Sequence, residues 1–236
     1  MINLLIILII IALATASGWG LWGYLSQSSD IKNNVNSYIS QQLKYQFSFL
    51  VIATLVVWCS YKISGNFLGV GDLSAEFDTY SHFPKLQNIS WLYVALLLIV
   101  SFLVSTYFMV SESLSSINNW KLFLKKYGAW VFILASLNSL SEELIYRGAL
   151  IAVINGDFPH WFIALLSGVI FMLAHIKGQI KGLFVLLGSG FVGWCLAYVV
   201  LQTHGLLWAW LIHFVQDAVI FTAFIATFKN NQNMKN

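Results

Sequence analysis

Six ionisable side chains stand where an apolar chain should carry none. Glu142, Glu143, Arg147, His175, His213 and Asp217 all lie inside long hydrophobic runs. Their spacing sorts them into pairs. Glu143 and Arg147 are four residues apart, as are Phe171 and His175, and His213 and Asp217; on helices each pair shares a face. Glu142 points about 100° away from Glu143, so the two carboxylates need not share a role. A Glu and a His aimed at one water form a general base, in which the carboxylate takes the proton and the imidazole orients the water or relays the proton. A second His can donate to an oxyanion as a tetrahedral intermediate forms. That set suits amide hydrolysis inside a membrane. Two His and a Glu (His175, His213 and Glu142) can equally hold a zinc ion with one open position. Residue types alone leave both alternatives open. A network that merely joins helices would account for Glu143 with Arg147, but it does not need two histidines and a further carboxylate.

These residues must be positioned by membrane helices. The chain has 236 residues, of which 59% are hydrophobic and 9% charged. Mean hydropathy is +0.78. Such a chain cannot cover itself with a solvated surface, which excludes an ordinary soluble domain and a disordered one. A net charge of +3 without a basic run excludes a nucleic-acid face. Cys59 and Cys195 sit in apolar stretches with no partner at metal-ligand spacing, and read as small packing residues.

Spans of about 20 apolar residues cross a bilayer. Seven segments qualify: Ile2–Tyr24, Tyr45–Tyr61, Ile89–Val110, Tyr127–Ile154, Phe158–Ile176, Leu183–Leu201 and Gly205–Phe228. They lack the alternation of barrel strands. The expected fold is an all-α polytopic membrane bundle of seven helices, or eight if the stretch around Gly182–Gly193 forms a split or re-entrant helix. Nine basic residues (Lys32, Lys44, Lys121, Lys125, Lys126, Lys177, Lys181, Lys229 and Lys235) fall on one side, against Lys62 and Lys85 on the other. The positive-inside rule then places the N-terminus outside and the C-terminus in the cytoplasm. The Ile, Asn and Lys bias suggests a bacterial plasma membrane.

The first three segments hold no ionisable residue beyond their ends. Residues 1–127 therefore read as scaffold, 128–228 as the catalytic core and 229–236 as a polar tail, within one membrane domain. At about 1.5 Å per residue, Glu142, His175 and Asp217 lie roughly 20, 22 and 18 Å in from the outer side, and His213 roughly 12 Å. They could meet in one layer.

Three motifs make a resemblance specific. Glu142-Glu143-Leu-Ile-Tyr-Arg147 matches E-E-x-x-x-R, Phe171-Met-Leu-Ala-His175 matches F-x-x-x-H, and His213-Phe-Val-Gln-Asp217 matches H-x-x-x-N/D. In order and separation they resemble the CPBP family of CaaX protease and bacteriocin-processing intramembrane peptidases, also called Abi proteins, over roughly Ala129 to Ala226. The resemblance implies that Glu142 activates water together with His175. It implies that His213 and Asp217 form the oxyanion side, and that Glu143 and Arg147 position the site or the substrate's carboxyl end. It favours no metal, with zinc on Glu142, His175 and His213 as the alternative. The implied partners are a peptide or membrane-protein substrate and the lipid bilayer, with no nucleic acid. Candidate substrates are a prenylated C-terminus, a bacteriocin leader, a pheromone precursor or a membrane protein's tail. Asp217 departs from the Asn of the CaaX-processing branch. An ionised Asp only accepts hydrogen bonds, so it is expected to orient His213. The rival classes are a proton-coupled transporter, which needs a polar path through the outer halves of the early helices, and a non-catalytic immunity protein.

Some features read as decoys. Gly69-Val70-Gly71-Asp72 spells the G-x-G-D of aspartyl intramembrane proteases, but it opens a polar loop with Glu76 and Asp78 and reads as a turn. Gly188-Ser189-Gly190 suggests a nucleophilic serine, yet its small neighbours fit close helix packing. No H-E-x-x-H is present. His82, His160 and His204 lie in or beside connections. Asn138 and Tyr146, four residues either side of Glu142, could each hydrogen-bond it.

Overall fold

The computed structural model describes residues 2–26, 34–72, 75–77, 89–178 and 182–233; the side chains at 76, 77, 89 and 228–233 are not described. Asp78, His82 and four of the lysines used for orientation (32, 85, 181 and 235) lie outside these residues.

Each apolar segment becomes a helical rod. α1 spans Ile2–Leu25, α2 Val35–Ser64 and α3 Trp91–Ser115. α4, Trp120–Glu143, runs without a break through a π-helical turn, Leu144–Ala149, into α5, Leu150–Ile154. α6 spans His160–Ala174 and tightens into a 3-10 turn at His175–Lys177. α7 spans Leu183–Thr203 and α8 Leu207–Asn233. Among the described residues, six helices are long and apolar enough to cross a membrane; the α4–α5 rod is not among them. Its lysines, glutamates and arginine are what lower its hydropathy.

Several elements differ from the sequence expectation: α3 runs on to Ser115 rather than Val110, and α4 begins at Trp120 rather than Tyr127. α2 begins ten residues before Tyr45, because Asn34 caps it by accepting from the Asn36 amide at 2.9 Å. α7 is one unbroken helix through its glycines, so no eighth helix forms there. α8 continues through Lys229 to Asn233, where a tail was expected. Before α3, Glu76–Phe77 pairs antiparallel with Ile89–Ser90, a two-residue ladder in an otherwise helical molecule.

The glycines of the G-x-G-D stretch have a packing role. The Asp72 amide donates to the Thr203 carbonyl at 2.7 Å, and the Leu206 and Leu207 amides donate to Gly69 and Val70 at 3.0 and 3.1 Å. The loop thus satisfies the open N-terminus of α8. Gly71, at φ 96°, lies directly against Gly205, and a Cβ on either would overlap the other's backbone. The α7 glycines act similarly. A Cβ on Gly168 of α6 would come within 2.7 Å of the Gly190 carbonyl, and one on Gly193 within 2.9 Å of Phe171 Cβ. Small residues let α6 and α7 approach closely, as expected for the Gly-Ser-Gly decoy.

Two apolar clusters fill the bundle. One joins Ile7, Ala53, Trp91, Ile145, Leu150, Ile163, Leu196 and Ile212. The other joins Tyr38, Phe123, Leu134, Ala135, Phe221 and Ile225. Along α4 and α8 the chemical residues fall between the two, Glu142 after Ala135 and before Ile145, His213 and Asp217 after Ile212 and before Phe221.

Candidate active site

The π-helical turn sets the site's shape. A π turn widens the helix and leaves backbone carbonyls without their usual partners, which in a membrane must be satisfied by neighbours. Here Ser167 of α6 donates to the Tyr146 carbonyl at 3.1 Å, and Ser60 of α2 donates to the Ala149 carbonyl at 2.8 Å. Both contacts are buried, and they tie the turn to the helices on either side.

Immediately before this turn, Glu143 points inward and is fully buried. Its Oε1 accepts from Arg147 Nη1 at 2.8 Å and from His213 Nδ1 at 2.8 Å. Arg147 is equally buried and lies 4.2 Å over the Phe171 ring. A carboxylate can only accept, so the Nδ1–H of His213 donates, and the ring presents Nε2 to the interior of the site. Nε2 lies 3.5 Å from Glu142 Oε2 and 3.7 Å from Asp217 Oδ1. The expectation that Asp217 orients His213 meets a longer contact than the one Glu143 makes.

His175 stands at the 3-10 turn ending α6. Its Nδ1–H donates to the Phe171 carbonyl at 2.8 Å, which leaves Nε2 as an acceptor. The turn is braced from α1, where Trp19 Nε1 donates to the Ala174 carbonyl at 2.9 Å and Lys177 Nζ sits 4.9 Å over the Trp19 ring. Phe171 is shared, with its ring 4.4 Å from that of His175 and 5.7 Å from that of His213.

Glu142, His175, His213 and Asp217 all line one cavity of about 800 Å³. Glu143 and Arg147 do not line it; of the two roles expected for them, positioning the site or the substrate's carboxyl end, their contacts with His213 and Phe171 suit the first. Among the described residues, Lys177 is the Lys or Arg side chain that does line it. Asn138 donates to Glu142 Oε1 at 3.3 Å, as expected, and also to Asp217 Oδ2 at 2.9 Å. The Tyr146 hydroxyl is shared with Thr15 of α1 at 3.0 Å, not with Glu142. Gln46 of α2 donates to Asn138 at 2.8 Å, a contact that sequence reasoning missed. The Ser189 hydroxyl lines the cavity but donates to its own helix at Leu186, 2.7 Å away. Among the described residues no three His, Cys, Asp or Glu side chains stand as a metal-binding group.

The cavity's walls are mainly apolar and come from both halves of the chain. α1 gives Trp19 and Trp22, α2 Tyr45 and Phe49, α3 Phe102 to Met109, and α7 Phe184 to Val192. α3 packs on α8, and α7 packs on α6. At the α3 and α7 walls the lining residues Phe108, Phe184 and Phe191 are also exposed on the outside of the bundle, Phe184 by 91%.

Residues 125–219 match the family model described as "Type II CAAX prenyl endopeptidase Rce1-like". That span holds all three motifs and every residue of the charged cluster. It bears out the resemblance read from the motifs: this segment is similar to the CPBP, or CAAX protease, family. The family is one of peptide hydrolases, and the chain is a multi-pass membrane protein. No curated protein matches the chain, and no solved structure does.

Proposed function

We propose that this protein is an intramembrane endopeptidase in which Glu142 and His175 activate a water against a peptide bond. The observation that carries the reading is the convergence of Glu142, His175, His213 and Asp217 on one large, mainly apolar cavity within a membrane bundle. Glu142 and His175 both line this cavity, where a water can reach carboxylate and imidazole. His175 offers Nε2 to that water because its Nδ1–H is committed to the Phe171 carbonyl. The water's oxygen attacks the peptide carbonyl while Glu142 takes its proton. The carbonyl oxygen becomes an oxyanion on the His213 side, where the ring donates from Nε2 once that nitrogen holds a proton. The C–N bond then breaks, and the leaving amine takes the proton from Glu142.

The substrate class follows from the walls. Aromatic lining and exposed Phe184, Phe191 and Phe108 suit a hydrophobic or lipid-modified peptide entering laterally between α3 and α7. The matched family's name points to a prenylated C-terminus, although Asp217 departs from the Asn of that branch. Lys177, beside His175 and over Trp19, is the cation available to a substrate carboxylate.

The test is cleavage of membrane-anchored peptides by the purified protein in liposomes, with and without a chelator. Cleavage that survives chelation supports the metal-free mechanism. Loss on chelation with recovery on added zinc would replace it with zinc on Glu142, His175 and His213. An intact protein that cuts no peptide would turn the reading to a non-catalytic or transport role.

A further inference from the structure

A buried amide on a membrane helix requires an explanation, because an unpaired polar group is costly in hydrocarbon. Gln46 on α2 is 1% exposed. Its Nε2 donates to Asn138 Oδ1 at 2.8 Å. The amide nitrogen of Asn138 then donates to Asp217 Oδ2 at 2.9 Å and to Glu142 Oε1 at 3.3 Å. One NH₂ group carries two hydrogens, and two carboxylates take them.

The two acids set the direction of this chain. Ionised carboxylates only accept, so Asn138 turns its nitrogen to them and its oxygen to Gln46, whose Nε2 donates to it. Turned over, Asn138 would set its oxygen against both carboxylates. An ionised Asp217 cannot donate, and the amide donor comes from Asn138 on α4.

We infer that Asn138, anchored through its oxygen by Gln46, is a positioning residue that clamps Glu142 and Asp217 at a fixed separation beside His213. This rests on the proposal that Glu142 is the base. It gives α2 a role in the chemistry through Gln46, which touches neither acid directly.

The test is a double-mutant cycle on the full-length protein in liposomes, with a membrane-anchored peptide as substrate. Asn138→Leu lowers kcat by about 100-fold and Gln46→Met by about tenfold, with KM changed less than about twofold. In the Asn138→Leu background, Gln46→Met costs nothing further, because Gln46 acts only through Asn138. Gln46→His, which keeps an N–H donor, restores most of the rate lost in Gln46→Met. Effects that multiply, or a Gln46→Met enzyme as fast as wild type, would overturn the inference. A second arm needs no activity. Infrared spectra of protein carrying ¹³C-carboxyl aspartate contain an Asp217 band, assigned by its loss in Asp217→Asn. That band shifts in both Gln46→Met and Asn138→Leu. If it stays in place in folded variants, the clamp is wrong even where the protease reading holds. If no peptide is cut while the band shifts, the protease reading fails and the clamp stands.

Discussion

Glu143 holds His213 by its Nδ1 at 2.8 Å and does so from a fully buried position, with Arg147 on the same carboxylate oxygen. The second glutamate of the motif is thus a bracket for the second histidine. Between the two, Glu142 lines the cavity and Glu143 does not.

This bracket predicts a specific pattern of stability. Glu143→Leu leaves the Arg147 guanidinium buried without its counter-charge and destabilises the protein by about 3–5 kcal/mol. Arg147→Met does the same from the other side. The double variant is more stable than either single one, since no uncompensated charge remains. Unfolding in mixed micelles measures all three.

Lys177 predicts discrimination at the substrate's end. Peptides with a free C-terminal carboxylate are cut with a lower KM than the same peptides amidated, by about five- to tenfold for one charge-assisted contact at a partly wet rim. Lys177→Met removes the difference by raising KM for the acid alone. Steady-state kinetics on matched peptide pairs provides the check.

Ser189 is predicted to be dispensable. Its hydroxyl donates to the Leu186 carbonyl, and its neighbour Gly190 lies close against Met172 of α6. Ser189→Ala retains wild-type kcat within about twofold, whereas a serine nucleophile would lose nearly all of it.

The α6–α7 contact sets a steric limit. Gly168→Ala places a methyl within 2.7 Å of the Gly190 carbonyl, which is backbone and cannot swing aside. Overpacking of this kind costs about 1–3 kcal/mol. Gly20→Ala, with nothing near its Cβ, costs no comparable amount. Midpoints of thermal unfolding compare the two.

Much of this arrangement was legible in the sequence because membranes penalise charge. Glu142, His175, His213 and Asp217 stood out against apolar runs, and their i,i+4 partners followed from helical spacing. Six of the rods followed from hydropathy for the same reason, whereas the α4–α5 rod falls short of a span by that measure. What stayed hidden was tertiary. No spacing rule shows that Glu143 reaches α8 to hold His213, since 70 residues separate them. Gln46 was passed over because it carries no charge and lay at the supposed end of its segment. A signal was present: Tyr38, Gln42 and Gln46 recur every four residues along one face, and all three are buried. The π-helical turn left no trace in the residue pattern, because its cost is met by Ser60 and Ser167 from other helices.

The central claim is that Glu142 and His175 together activate the attacking water. The most direct measurement is single-turnover cleavage of a bound peptide by wild type, Glu142→Gln and His175→Ala, each shown to fold and to bind the peptide equally. The account predicts that both variants bind normally and lose roughly 10²–10⁴-fold or more in the cleavage step, with the double variant little worse than the slower single one. Cleavage by Glu142→Gln at the wild-type rate would contradict it.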